Sequence, residues 1–130
     1  MTNRYETGPR DLLIVEDERH VRDFYRRLLS RKYTIEEARN GREGFAFACA
    51  NAYGLVITDV RMPDWDGIDL IVNLKLVAPN QKILVVGDLP SEIIREFEDC
   101  ENVVGWIEKP VSPERLLKAV ERGLVVAPVE

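Results

Sequence analysis

The chain has 130 residues, 45% of them hydrophobic and 32% charged, and a formal net charge of −5. This suits one soluble domain with a single core, and it excludes both a disordered chain and a spanning helix, since no apolar run nears the ~18 residues a bilayer needs. The acidic balance and the lack of a helix-turn-helix or zinc spacing argue against a nucleic-acid surface.

Residues 1–10, "MTNRYETGPR", form a short tail without the apolar stretch of a secretion signal, so a cytoplasmic location with no membrane partner is expected. "DLLIV" (11–15) reads as a strand, and Val21, Phe24, Tyr25, Leu28 and Leu29 recur at helical spacing after it. The basic stretch "RDFYRRLLSRK" (22–32) lies on that helix. Its charges alternate with an apolar stripe, which favours a solvated face over the docking of an acidic partner. "YTIEEA" (33–38) is the second strand, and Asn40 to Glu43 forms a capping box for a helix carrying Phe45, Ala48, Cys49 and Ala52. "GLVIT" (54–58) is the third strand, and Asp66 caps a helix from Gly67 to about Val77 that Pro79 ends. "KILVV" (82–86) precedes a helix holding Ile93, Ile94 and Phe97, while "VVGWI" (103–107) precedes one opened by Ser112-Pro113-Glu114. Cys49 and Cys100 stand alone, without a CxxC or His-rich neighbourhood, and are expected as two reduced, partly buried thiols.

Five strand-helix units in strict alternation, with strands that are continuous apolar runs, predict a five-stranded parallel sheet covered by helices on both faces, an α/β doubly wound fold. Ligands of such sheets bind beyond the carboxyl ends of the strands. The first strand ends in Glu16-Asp17, the third in Asp59, the fourth in Gly87-Asp88, and the fifth runs through Glu108 into Lys109-Pro110. Clustered carboxylates raise one another's pKa unless a cation neutralises them. Mg²⁺, which binds through one or two carboxylates together with phosphate oxygens, suits Glu16, Asp17 and Asp59, with Lys109 facing a phosphate oxygen or pairing with Asp59. Any one of these residues alone could be a solvated loop residue, and Asp17 could cap the first helix. Convergence of four residues from three loops is what favours a site.

The sequence resembles the receiver domain of two-component response regulators (CheY-like) from Asp11 to about Leu124. The resemblance rests on "LLIVEDE", "VITDVRMPDWDG" and "GWIEKP". It implies the strand order 2-1-3-4-5 of a flavodoxin-like fold, with 1–10 and 125–130 as tails around a receiver domain at 11–124. It also implies that Asp59 is the phosphoacceptor, taking a phosphoryl group from a sensor histidine kinase or phosphotransfer protein. Mg²⁺ would be held by Glu16, Asp17, Asp59 and the backbone carbonyl of Arg61, while Lys109 would contact the phosphoryl group. Lys109-Pro110 becomes a candidate cis peptide. Glu16, in place of the family's commoner aspartate, lengthens one arm of the acidic pair and favours a contact through water.

Three positions of the switch region, Gly87, Asp88 and Trp106, depart from the family pattern. Where the family has a serine or threonine, Gly87 offers no hydroxyl, so a charge-assisted bond of roughly 1.5 to 3 kcal/mol is missing; a loop N–H or a water would have to substitute. Asp88 replaces a small residue. At ~5 Å from another unit negative charge and an effective dielectric of ~20 it would meet about 3 kcal/mol of repulsion, so it should point away and cap the helix containing Pro90 and Ser91. Trp106 replaces a tyrosine or phenylalanine and serves either as a switch or as a contact residue on an edge strand.

Two functions therefore stand against each other: a phosphorylatable receiver in a phosphorelay, acting on a downstream output domain or protein, and a non-switching pseudo-receiver used as a protein interaction module. An enzyme is not expected, because "DVR" (59–61) lacks the second acid that haloacid-dehalogenase-like phosphatases use. With "LVVAPVE" (124–130) following the last helix, either a stand-alone receiver or a fragment of a longer regulator is expected. Ile93, Ile94, Phe97, Val103 and Trp106 offer a homodimer surface unless the core takes them.

Overall fold

Strands without polar alternation must be covered on both faces, and the chain arranges its helices to do so. The computed structural model describes residues 10–125 apart from Leu89 and Asp99. Its elements are β1 (Arg10–Val15), α1 (Arg19–Leu29), β2 (Ile35–Ala38), α2 (Gly41–Ala50), β3 (Tyr53–Asp59), α3 (Gly67–Val77), β4 (Ile83–Val86), α4 (Ser91–Glu96), β5 (Val103–Ile107) and α5 (Pro113–Val125). All five strands are parallel, in the order β2-β1-β3-β4-β5. The fold class expected above is the one observed. The tails expected at 1–10 and 125–130 lie outside the described residues except for Arg10 and Val125, which begin β1 and end α5.

Alternate strand residues serve opposite faces. Leu13, Val15, Val56, Ile83 and Val85 pack with Ala48 of α2 and with Leu70, Ile71 and Leu74 of α3. On the other face Leu12, Ile14, Leu55, Ile57, Leu84, Val86 and Ile107 meet Tyr25 and Leu29 of α1 and Leu116 and Val120 of α5. Each fully buried aliphatic side chain contributes about 1.5–3 kcal/mol, so the central strands anchor the sheet and hold their carboxyl ends in register.

The helix starts are held by local chemistry. Asp66 Oδ1 accepts from the N–H groups of Ile68 and Asp69, both at 3.0 Å, and the Asp69 carboxylate accepts from the Asp66 N–H at 3.1 Å. Replacing that cap by Asp66→Ala is expected to cost about 1 kcal/mol, read as a lowered urea midpoint with an unchanged slope. Ser112 Oγ accepts from the Arg115 N–H at 3.1 Å, as the Ser-Pro-Glu start predicts. Asn40 accepts from the Glu43 N–H at 2.8 Å, but the Glu43 carboxylate returns to the N–H of Arg39, one residue before the cap.

Three further expectations are corrected. β2 begins at Ile35 and not at Tyr33, because Thr34 is held by a reciprocal pair with Asp11: the Asp11 N–H donates to Thr34 Oγ1 (2.9 Å) and the Thr34 N–H to Asp11 Oδ2 (2.8 Å). Both cysteines are free, but only Cys100 is buried. Cys49 is exposed because Ala48 takes the inward position on α2 and the next residue lies ~100° around the helix. The helix ends at Ala50, leaving Ala52 beyond it.

Candidate functional site

Parallel register brings the strand ends to one level. Val15 pairs with Thr58, Asp59 with Val86 and Val86 with Ile107, so Glu16, Asp59, Gly87 and the segment leading to Lys109 emerge side by side. Close approach of α3 completes the wall. The Gly67 N–H donates to the Val60 carbonyl at 2.8 Å, and a Cβ on Gly67 would lie 2.4 Å from the Asp59 carbonyl oxygen.

One carboxylate oxygen from each of Glu16, Asp17 and Asp59 lies within 4.8 Å of the others. Glu16 and Asp59 are buried and Asp17 half-buried. Lys109 Nζ stands 3.2 Å from Asp59 Oδ1, which also accepts from the Val60 N–H at 2.9 Å. Glu16 Oε2 accepts from the Glu18 N–H at 3.1 Å, while Glu16 Oε1 is buried without a hydrogen-bond partner.

The electrostatics follow from this crowding. Burial pushes the Glu16 carboxyl up to about 7; the Glu18 N–H opposes it and the Asp59 charge adds to it. Asp59 is also raised, by burial against the pull of Lys109 and of the Val60 N–H. For Lys109 burial acts downward, yet Asp59, Glu16 and Glu18 together hold its ammonium above the usual lysine range. The buried Tyr25 phenol beneath the site is raised by burial, with the Glu16 and Asp59 charges adding.

A hard divalent cation fits this donor set. The candidate ligands are all carboxylates, one of which, Glu16, carries a buried oxygen without a hydrogen-bond partner, and the single Lys109 charge beside Asp59 offsets only part of their mutual repulsion. Arg61 lies in the loop after Asp59 with its side chain exposed. The Lys109-Pro110 peptide is cis.

The positions expected to form a switch are less regular. Gly87 is buried at φ +137°, and its N–H donates to the Ile107 carbonyl at 2.8 Å. That N–H is thus held by β5 and is not turned to the site as a substitute for the missing hydroxyl. Asp88 is exposed and does not cap α4. The N-cap is Pro90, with no side-chain bond, since a capping side chain must adjoin the first turn and Asp88 stands two residues before it. Nor does Asp17 cap α1, whose N-cap is Glu18; its carboxylate joins the acidic cluster instead. Trp106 is half-buried on the edge strand, 6.3 Å between ring centroids from Phe97. Phe97, Val103 and Trp106 pack against the core, whereas Ile93 and Ile94 are half-buried on α4.

Sequence reasoning missed four contributors. Arg22 binds the loop carrying Glu16 and Asp17, through contacts that no residue spacing reveals. Asp64 and Trp65 adopt φ of 53° and 74°, a conformation costly for non-glycine residues. Arg42 holds them there: its Nε donates to Asp64 Oδ1 at 2.7 Å and its guanidinium lies 5.0 Å from the Trp65 ring centroid, with Phe45 on the same indole at 5.3 Å. The "PDWDG" turn residues were the available signal. The basic stretch 22–32 is divided, Arg22 and Arg26 turning to Glu37 while Arg27, Arg31 and Lys32 rim a groove floored by Phe24, Leu28 and Leu117.

Comparison with known proteins agrees with this geometry. The family model described as "Response regulator receiver domain" matches residues 12–121. The transcriptional regulatory protein SrrA of Staphylococcus aureus is 31% identical over 113 residues, which are 85% of this chain and 46% of that protein, so the chain spans about half the length of the curated relatives it matches. Among solved structures, the chemotaxis protein CheY4 of Vibrio cholerae is 28% identical with a TM-score of 0.78, covering 88% of this chain and 98% of its own. The signal receiver domain of a histidine kinase from Syntrophus aciditrophicus is 31% identical, also with a TM-score of 0.78, covering 88% and 89%. Receiver domains of response regulators interact with histidine kinases and output domains and in general depend on Mg²⁺. Among the described residues no helix is long and apolar enough to cross a membrane. With the strand order, the acidic cluster and the matched span in agreement, the chain belongs to the response regulator receiver domain family of two-component systems.

Proposed function

We propose that the chain accepts a phosphoryl group on Asp59 from a histidine kinase or phosphotransfer protein in a cytoplasmic phosphorelay, and passes the signal to a downstream output domain or protein. The observation that carries this reading is the buried Asp59 carboxylate, paired with Lys109 at 3.2 Å and clustered with Glu16 and Asp17. Glu16, Asp17, Asp59 and the Arg61 carbonyl would hold Mg²⁺. The bound ion supplies positive charge for the phosphoryl oxygens. Asp59 Oδ1 already takes the Lys109 and Val60 bonds, so Oδ2 is left to attack phosphorus in line as the donor's bond to phosphorus breaks, giving an acyl phosphate. Lys109 then transfers its charge-assisted bond to a phosphoryl oxygen. Incubation with Mg²⁺ and a small acyl-phosphate donor should add one phosphoryl mass to the wild type and none to Asp59→Asn. An unmodified wild type under every donor would overturn the reading.

Gly87 favours a second reading, a receiver-like interaction module that does not switch. It has no hydroxyl, and its N–H is held by Ile107. Sizing and partner affinity before and after phosphorylation separate the two: a large change in either, including homodimer formation through the Ile93 and Ile94 surface, excludes the second. Both readings describe a signalling module and not an enzyme, and steady-state turnover of a phosphate ester would count against both.

A further inference from the structure

The acidic loop after β1 has an attachment besides the strand itself. From α1, Arg22 Nη1 donates to the carbonyl oxygens of Glu16 at 2.8 Å and of Asp17 at 3.0 Å. Its Nε stands 3.6 Å from Glu37 Oε1 on β2, with the Arg22 side chain only 12% exposed and that of Glu37 17%. The other Glu37 oxygen takes the Arg26 guanidinium. One planar group therefore ties α1, β2 and the loop together.

We infer that Arg22 is a positioning residue for the cation site: it fixes the backbone of Glu16 and Asp17 so that their carboxylates converge with Asp59. The inference rests on the Mg²⁺ reading proposed above. Guanidinium is suited to the role because its donors are fixed in a plane and can serve two carbonyls and a carboxylate at once, whereas a lysine ammonium is a single flexible point. Groups behind the ligands of a metal commonly set affinity in this way, and their loss costs roughly 10- to 100-fold in metal binding. Arg22 reaches the acidic cluster through these two carbonyls.

The sign of the effect separates positioning from simple electrostatics. A cation beside the acidic cluster opposes Mg²⁺, so if Arg22 acted only by its charge, Arg22→Gln would tighten Mg²⁺ binding and Arg22→Lys would leave it unchanged. Positioning requires that both variants weaken it.

The test is a MgCl₂ titration of the whole chain, followed by the amide NMR shifts of Glu16, Asp17 and Glu18, with thermal unfolding recorded in the absence of metal. Arg22→Gln and Arg22→Lys should each raise the Mg²⁺ dissociation constant by roughly 10-fold or more while keeping native spectral dispersion. Arg26→Gln, which loses the same Glu37 but no loop carbonyl, should stay within about 2-fold of wild type. Unchanged or tighter binding by Arg22→Gln overturns the inference, as does wild-type affinity in Arg22→Lys. Should Arg22→Gln fail to fold, Arg22→Lys decides, and failure of both to fold makes Arg22 a general structural residue and also overturns it. A wild type whose amides do not respond to millimolar Mg²⁺ refutes the metal reading, and this inference falls with it.

Discussion

Gly87→Ala and Gly87→Ser are expected to lose stability alike, by about 3 kcal/mol each, so the hydroxyl of the serine brings no compensating gain. Gly87 sits at φ +137°, where residues with a Cβ carry a backbone penalty of about 1–3 kcal/mol. A Cβ there would also stand 3.0 Å from Val60 Cγ2 and 3.2 Å from Asp59 Oδ1, at the tight end of side-chain contact in a well-packed wall. The backbone has little freedom to turn away, because the Gly87 N–H is held by the Ile107 carbonyl at 2.8 Å and the strand before it is wholly buried. Urea unfolding of wild type, Gly87→Ala and Gly87→Ser checks this, with Ala reporting the backbone and Ser the added oxygen. Wild-type stability in Gly87→Ser would show that the segment after β4 turns to a conformation with negative φ. With both variants destabilised, the glycine is a requirement of the local backbone, and a side chain at this position would be accommodated only with its neighbours changed as well.

The fold was legible because its signals are local. Apolar runs such as "LLIV" and "ILVV" cannot be exposed on either face, and the residues that end them, Glu16-Asp17, Asp59 and Gly87, mark the carboxyl edge of the sheet. Asp66 and Ser112 announced their helices because a cap is a contact between residues two or three apart. The strand order was not legible from spacing and came with the family resemblance. Asp88 was misread because Pro90 and Ser91 set the start of α4 too far along for its carboxylate to reach the first turn. Arg22 was illegible for another reason: its partners are backbone carbonyls, which every residue has, so no composition or spacing singles them out. Asp11 with Thr34, 23 residues apart, shows the same limit, since the bond that trims β2 exists only once β1 and β2 lie side by side.

Stability in the absence of metal should fall as pH rises from about 4.5 to 7, by roughly 2–3 kcal/mol, with Glu16 the main cause. The ordinary carboxyl value is 4.5 and the folded value about 7. Between the two, the folded chain keeps a proton that the unfolded chain has released, so each unit of pH favours unfolding. The contribution is complete below 4.5 and lost once pH passes 7. Asp59, raised in the same direction, adds to the fall, and Lys109, whose shift lies above the lysine range, does not enter this window. Solvent reaching the cluster beside the half-buried Asp17 screens part of the effect. Glu16→Gln, which keeps the shape and can still accept the Glu18 N–H, should flatten the profile and exceed wild type at pH 8 by about the same 2–3 kcal/mol. Mg²⁺ should stabilise wild type at pH 8 and do less for the variant, since a ligand that binds only the folded state shifts unfolding in proportion to its occupancy. Urea midpoints across pH 4.5–8 with chelator, and again with millimolar Mg²⁺, measure all of these. A flat wild-type profile, or a Glu16→Gln less stable than wild type at pH 8, would contradict the account. On that account the acidic cluster destabilises the metal-free fold, which is the behaviour expected of groups placed for a cation and not for packing.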